Sequence, residues 1–134
     1  REWVVASAAR MAKLEAKQRA VIAGLPELDR AQAKRILVNR LSELAKLHGF
    51  EYNRVFIRNQ RTRWGSCSGK NNINLNMNLV RLRQELIDYV ILHELVHTRV
   101  KNHSAKFWQE LDKHVGDAKG LDRCLRREGL LGVD

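Results

Sequence analysis

The spacing of hydrophobic positions changes from helical to alternating and back along the chain. From Trp3 to Ile22, an Ala-rich segment with interspersed Lys and Arg sets Val4, Ala8, Met11 and Leu14 three or four residues apart. This interval gathers side chains on one face of a helix. Gly24, Leu25 and Pro26 interrupt it. Asp29 followed by Gln32 then has the form of a capping box, and Ile36, Leu37, Leu41, Leu44 and Leu47 predict the apolar stripe of a second helix. Gly49 stands where a helix ends on a left-handed residue, and His48 before it faces the negative end of the helix dipole.

From Asn53 the period becomes two. Val55 and Ile57 alternate with Arg54, Phe56 and Arg58, and Ile73 and Leu75 alternate with Asn72, Asn74 and Asn76, which predicts short strands. Arg61–Ser66 supplies a third, with Gly65 and Gly69 marking a bulge or turn on either side of Cys67. Helical spacing returns with Leu86, Ile87, Val90, Ile91 and Val96, then with Phe107, Trp108, Leu111 and Val115. A last helix from Asp117 carries Leu121 and Leu125 and stops near Gly129. The pattern predicts one α+β domain, helical over residues 1–52, with a small sheet and three more helices over 53–134.

A length of 134 residues with 44% apolar composition fits a single core, burying roughly two-thirds of the unfolded surface. The net charge of +10 is spread along the chain, with 12 basic against 6 acidic residues over 1–60 and 13 against 9 over 61–134. Anionic partners, including a nucleotide or nucleic acid, are therefore attracted. The apolar run Trp3–Ala9 is far shorter than the roughly 20 residues that cross a bilayer. No basic secretory leader precedes it, and a start at Arg1 suggests a trimmed or excerpted chain. Cys67 and Cys124, 57 positions apart, suit a reducing compartment, so a cytoplasmic protein is expected.

The chemistry concentrates in His93-Glu94-Leu95-Val96-His97, an H-E-x-x-H pattern inside a predicted helix. Imidazoles four residues apart lie about 40° apart around a helix and can reach one metal ion. Glu94 lies beside that face, where a carboxylate can accept a proton from water at the metal. Catalytic zinc uses three protein ligands and leaves a fourth position open. His103 supplies the third, if the chain turns back near Lys101 or Asn102, where Asn tolerates a left-handed backbone. The composition would give about 0.01 H-E-x-x-H matches by chance. The spacing equals that of the metzincins, H-E-x-x-H-x-x-G-x-x-H, but Val100 holds the Gly position, and Met11 and Met77 both precede the helix where a Met-turn should follow it.

The run Arg61-Thr62-Arg63-Trp64-Gly65-Ser66-Cys67-Ser68, then Asn72–Asn76, Ile87-Asp88-Tyr89-Val90 entering the motif, Asn102-His103-Ser104 and Phe107-Trp108 resembles the YgjP-like predicted zinc metallopeptidases. The resemblance runs in order from about Leu41 to Leu111, and SprT-like and WLM-type zincins are more distantly similar. It implies a compact zincin-like domain with the motif on a central helix, one zinc ion held by His93, His97 and His103, and Glu94 as catalytic base. It also implies a peptide or protein substrate. Members commonly carry further β-rich sequence ahead of the helical part.

Around this centre, Asn72, Asn74 and Asn76 share one face of a predicted strand, either an edge that pairs with an extended substrate, as in zincins, or a polar edge that resists aggregation. Arg61 and Arg63 are candidates for binding a developing oxyanion, a carboxylate or a phosphate, or are surface charges. Trp64, Phe107 and Trp108 read as core, Ser104 as a helix cap, His114 as exposed, and Cys67 as a buried structural thiol. Gly65–Lys70, G-S-C-S-G-K, lacks the spacing and the following helix of a phosphate loop. The expected function is zinc-dependent peptide hydrolysis. The charge leaves open hydrolysis of a nucleotide phosphoanhydride, or a nucleic-acid-associated protease or binding module, although no helix-turn-helix, RNA-recognition or zinc-finger pattern is present.

Overall fold

A computed structural model describes residues 27–60 and 62–129, so the helix expected over Trp3–Ile22 lies outside the described residues, as does Arg61. The elements are α1 (Arg30–His48), β1 (Val55–Arg58), β2 (Gly65–Cys67), β3 (Ile73–Asn76), a 3-10 helix (Met77–Arg81), α2 (Gln84–Val96), α3 (Ala105–Val115) and α4 (Ala118–Gly129). The fold is α+β, with helices around a small mixed sheet.

The ends of α1 form as their residues dictate. Asp29 Oδ1 accepts from the Gln32 N–H at 3.1 Å, and Gly49 adopts φ 74° with its N–H on the Ala45 carbonyl. A side chain there would be strained, which is why Gly serves. Its inward face is Ala33, Leu37, Leu41, Leu44 and Ala45. Ile36 and Leu47, expected in the stripe, are 46% and 76% exposed, because each lies off the arc that the other three leucines share with two alanines. α1 packs against α2 and the 3-10 helix. Arg40 then clasps Asp88 of α2 in a bidentate pair, Nε–Oδ1 2.8 Å and Nη2–Oδ2 2.7 Å.

The strand order is β1-β3-β2, with β1 parallel and β2 antiparallel to β3. Val55 faces Ile73 across one pairing, and Gly65 faces Leu75 across the other. The third strand begins at Gly65 and includes Cys67, later than the expected Arg61–Ser66. The turn to β3 uses Asn71 at φ 64° and a Ser68–Asn72 backbone bond of 2.9 Å. β3 is therefore internal, and its main chain is bonded on both sides.

Ten of the thirteen α2 residues are buried, as expected of a helix that is apolar nearly all round. Each fully buried Leu or Ile there contributes about 1.5–3 kcal/mol. Tyr89 of α2 donates its hydroxyl to Asp122 of α4 at 3.1 Å, and Asp122 also pairs with Arg126. No helix among the described residues is long and apolar enough to cross a membrane.

The ends of α1 and α3 meet through two imidazoles. His48 Nδ1 lies 3.0 Å from His114 Nδ1, and the His114 ring packs on Phe50. His114 is thus half-buried and engaged, not simply exposed as the sequence suggested, because Phe50 and the α1 end cover it. Glu110 lies 3.5 Å from His114, 3.4 Å from Lys113 and 3.2 Å from Arg99. Arg99 also sits over Phe50 and donates to the Gly49 carbonyl. Burial, then the charges of His114 and Arg40, hold the His48 pKa below its ordinary value. Burial alone would raise Glu110, but its contacts with His114, Lys113 and Arg99 outweigh that and lower it.

Candidate metal centre

The last turn of α2 carries His93 and Glu94, and His97 occupies the C-cap in helical conformation (φ −64°, ψ −15°). His93 and His97 therefore lie one turn apart on one face. The chain then reverses tightly. Thr98 and Val100 donate backbone N–H groups to Leu95 and Val96 at 3.0 and 2.9 Å, and the Thr98 hydroxyl donates to Leu95 at 2.6 Å. This reversal returns His103 to the helix without a left-handed Asn102, since among the described non-glycine residues only Asn71 has positive φ. His97 Nε2 and His103 Nε2 come to 3.1 Å, and one ligand atom from each of His93, His97 and His103 lies within 4.8 Å of the others.

The donor set suits a metal. His97 Nδ1 lies 2.9 Å from the Val100 carbonyl. A carbonyl only accepts, so Nδ1 carries the proton and the Nε2 lone pair faces His103. Imidazole nitrogens this close repel unless a proton or cation lies between them. Val100, the residue that breaks the metzincin pattern, serves here through its carbonyl.

Phe107 braces all three rings. It is fully buried, stacks on His97 at 4.4 Å between centroids, and meets His93 and His103 edgewise at 4.9 and 5.0 Å. Tyr89 adds an edge contact to His93, and Trp108 lies 6.5 Å from His103. Sequence reasoning placed Phe107 in the core without this second role. The available signal was its position four residues after His103. Ser104 takes the N-cap position of α3, but its side chain makes no capping bond, and its N–H donates to Asn102 Oδ1 at 3.3 Å.

Glu94 is fully buried, with Oε2 3.3 Å from His93 Nδ1. Its other neighbour is the β2 backbone. A Cβ on Gly65 would lie 3.1 Å from Glu94 Cγ and 3.3 Å from Oε2, so a side chain there would need Glu94 to give way, and the regular pairing of Gly65 with Leu75 marks no bulge. Cys67, two residues on, is a half-buried thiol outside any disulfide, whose Sγ lies 3.6 Å from the Ser68 carbonyl. Lys101 reaches across to the Ser68 carbonyl at 3.0 Å and to Asn71.

The asparagines are differently engaged. Asn76 is 1% exposed; it donates to the Gln60 and Arg63 carbonyls at 2.7 and 3.1 Å and caps the 3-10 helix through Asn78. Asn72 accepts from the Arg54 N–H, and Asn74 from Arg58. Because β3 is the central strand, its main chain is not the peptide-pairing edge that the sequence suggested. β2 is an edge instead. Arg63 is exposed just before β2.

The sequence profile of one family, described as YgjP-like, metallopeptidase domain, matches residues 4–128. Two solved structures of metallopeptidase zymogens share the fold. Abylysin of Pyrococcus abyssi has a TM-score of 0.64 at 23% identity, over 73% of this chain and 99% of that one. Jannalysin of Methanocaldococcus jannaschii has a TM-score of 0.59 at 24% identity, over 69% of this chain and 95% of that one. No curated protein matches the sequence.

Proposed function

Because the chain belongs to the YgjP-like metallopeptidase family, we propose that it hydrolyses peptide bonds with one zinc ion held by His93, His97 and His103 and with Glu94 as general base. The observation that carries this reading is the convergence of the three imidazoles within 4.8 Å, immediately beside a buried carboxylate. His93, His97 and His103 would hold the zinc, which when bound would supply polarisation of a water molecule and of the scissile carbonyl.

The protein's own groups do the rest. Glu94 accepts the proton of the attacking water on its carboxylate and returns it to the departing amine. Its burial against Gly65 and His93 fixes where that proton is held. The Val100 carbonyl keeps His97 in the required tautomer, and Phe107 fixes the three ring planes. A peptide extended along the edge of β2 passes beside Glu94, with Arg63 near the start of that edge. Main-chain pairing there aligns the scissile bond. Arg61, the other candidate for an anionic group on the substrate, lies outside the described residues.

The test is metal analysis and turnover together. The full chain should hold one zinc per molecule, lose activity on exhaustive chelation and regain it with zinc. Glu94→Gln should keep the zinc and lose about 10²–10⁴ in turnover. Full activity after chelation, or in zinc-loaded Glu94→Gln, contradicts the assignment. A nucleotide panel assayed at equal enzyme concentration separates phosphoanhydride hydrolysis, and turnover of nucleotides alone rejects the peptidase.

A further inference from the structure

Three cations stand in a row on α4 with no acidic partner among the described residues. Lys119, Arg123 and Arg127 recur every fourth residue, and all are exposed. Among the described residues their contacts are to neutral groups, Lys119 over the Trp108 ring and Arg127 on Cys124 Sγ. The acidic residues of the same helix are engaged elsewhere, Asp122 with Tyr89 and Arg126, and Glu128 with Arg83. Like charges at this spacing repel one another, and an anionic chain laid along the row would relieve that repulsion.

Lys119, the first of the row, is linked to the candidate metal centre through Trp108. Lys119 Nζ lies 5.6 Å from the centroid of Trp108, whose ring is 6.5 Å from His103. Of the three imidazoles, His103 is the most exposed. Arg123 and Arg127 continue from Lys119 along the helix. Successive cations are about 6 Å apart along its axis, close to the roughly 6.7 Å between same-side residues of an extended chain.

We propose that the peptide cleaved at this centre carries acidic side chains at alternate positions on the His103 side of the scissile bond, received by Lys119, Arg123 and Arg127. This rests on the peptidase reading above and adds its substrate class. A nucleic acid is the poorer fit. It gains from aromatic platforms on which bases stack, and Trp108 beside this row is already covered by Lys119.

The test uses the zinc-loaded full chain and paired peptides that differ only in Asp or Asn at alternate positions on either side of the cleaved bond. The Asp peptides should show about tenfold higher kcat/KM on one side, carried by KM and diminished by salt. In a Lys119→Glu, Arg123→Glu double variant the Asp/Asn ratio should fall to one or below. A second readout needs no turnover: a fluorescent Asp peptide should bind the metal-free protein, by anisotropy, at least tenfold more weakly after charge reversal. Equal cleavage of Asp and Asn peptides, or a preference that survives charge reversal, overturns the proposal. So does a single-stranded DNA that binds these cations more tightly than the peptide. If no peptide is cleaved, the peptidase reading fails instead, and peptide binding indifferent to charge reversal then overturns the acidic site on its own.

Discussion

Gly65 and Glu94 are packed so closely that a side chain on β2 at that point would need its neighbours to give way. A Cβ there would lie 3.1 Å from Glu94 Cγ and 3.2 Å from the Asn74 carbonyl. Gly65→Ala should therefore cost about 1–3 kcal/mol through overpacking and displace the Glu94 carboxylate. Thermal denaturation of a double-mutant cycle checks the cause. In a Glu94→Ala background the contact with Cγ is gone, so the same substitution should cost measurably less. Equal costs in both backgrounds would place the strain at Asn74 instead.

Phe107 offers a second test, because it touches each of His93, His97 and His103. Phe107→Leu keeps an apolar side chain but removes the stack on His97. It should lower stability by about 1–1.5 kcal/mol and weaken zinc binding about tenfold, as loss of a ligand-orienting neighbour does. Competition with a chelating dye measures the second effect. Unchanged affinity would make Phe107 a packing residue alone.

How much of this was legible beforehand depends on whether a feature is local. The Asp29 and Gly49 caps and the trio His93, His97, His103 follow from spacings within a few residues, and each is present in the structure, whereas α2 ends at Val96, short of the expected turn near Lys101 or Asn102. Strand order is not local. Asn72, Asn74 and Asn76 look like an edge when β3 is read by itself, and only the pairing of β1 and β2 on either side of it makes it internal. The same holds for Gly65 against Glu94 and for His48 against His114, which join residues 29 and 66 positions apart. Ile36 and Leu47 misled for another reason: the stripe seeks large apolar residues, whereas α1 turns Ala33 and Ala45 inward.

The Arg40–Asp88 clasp fastens α1 to the helix that carries His93 and Glu94. Arg40→Gln should cost about 1 kcal/mol, measured by denaturant titration. Arg40→Lys should recover little of it, since one ammonium cannot reproduce the two parallel bonds of the guanidinium fork. The bond also holds the Arg40 pKa above its usual value, so its charge persists at every working pH.

Acid should weaken the junction of α1 with α3. Unfolded His48 takes up a proton near its ordinary value of 6.5, whereas the folded group resists until lower pH. Between those values the unfolded state binds more protons, so the stability present above pH 6.5 is lost as pH falls through the depressed value. Glu110, ordinarily near 4.5 and lowered in the fold, adds a second loss in more acid solution. His48→Gln should flatten the first phase while leaving the second, by comparison of unfolding midpoints with wild type at about pH 7.5 and 5.5. Parallel curves would exclude His48 as the source.

β2 is three residues long. A guest chain laid along so short a border finds about two amide partners there, too few to hold it for long or to tell one sequence from another. Cut ends should therefore leave quickly, and discrimination passes to whatever the neighbouring side chains can recognise.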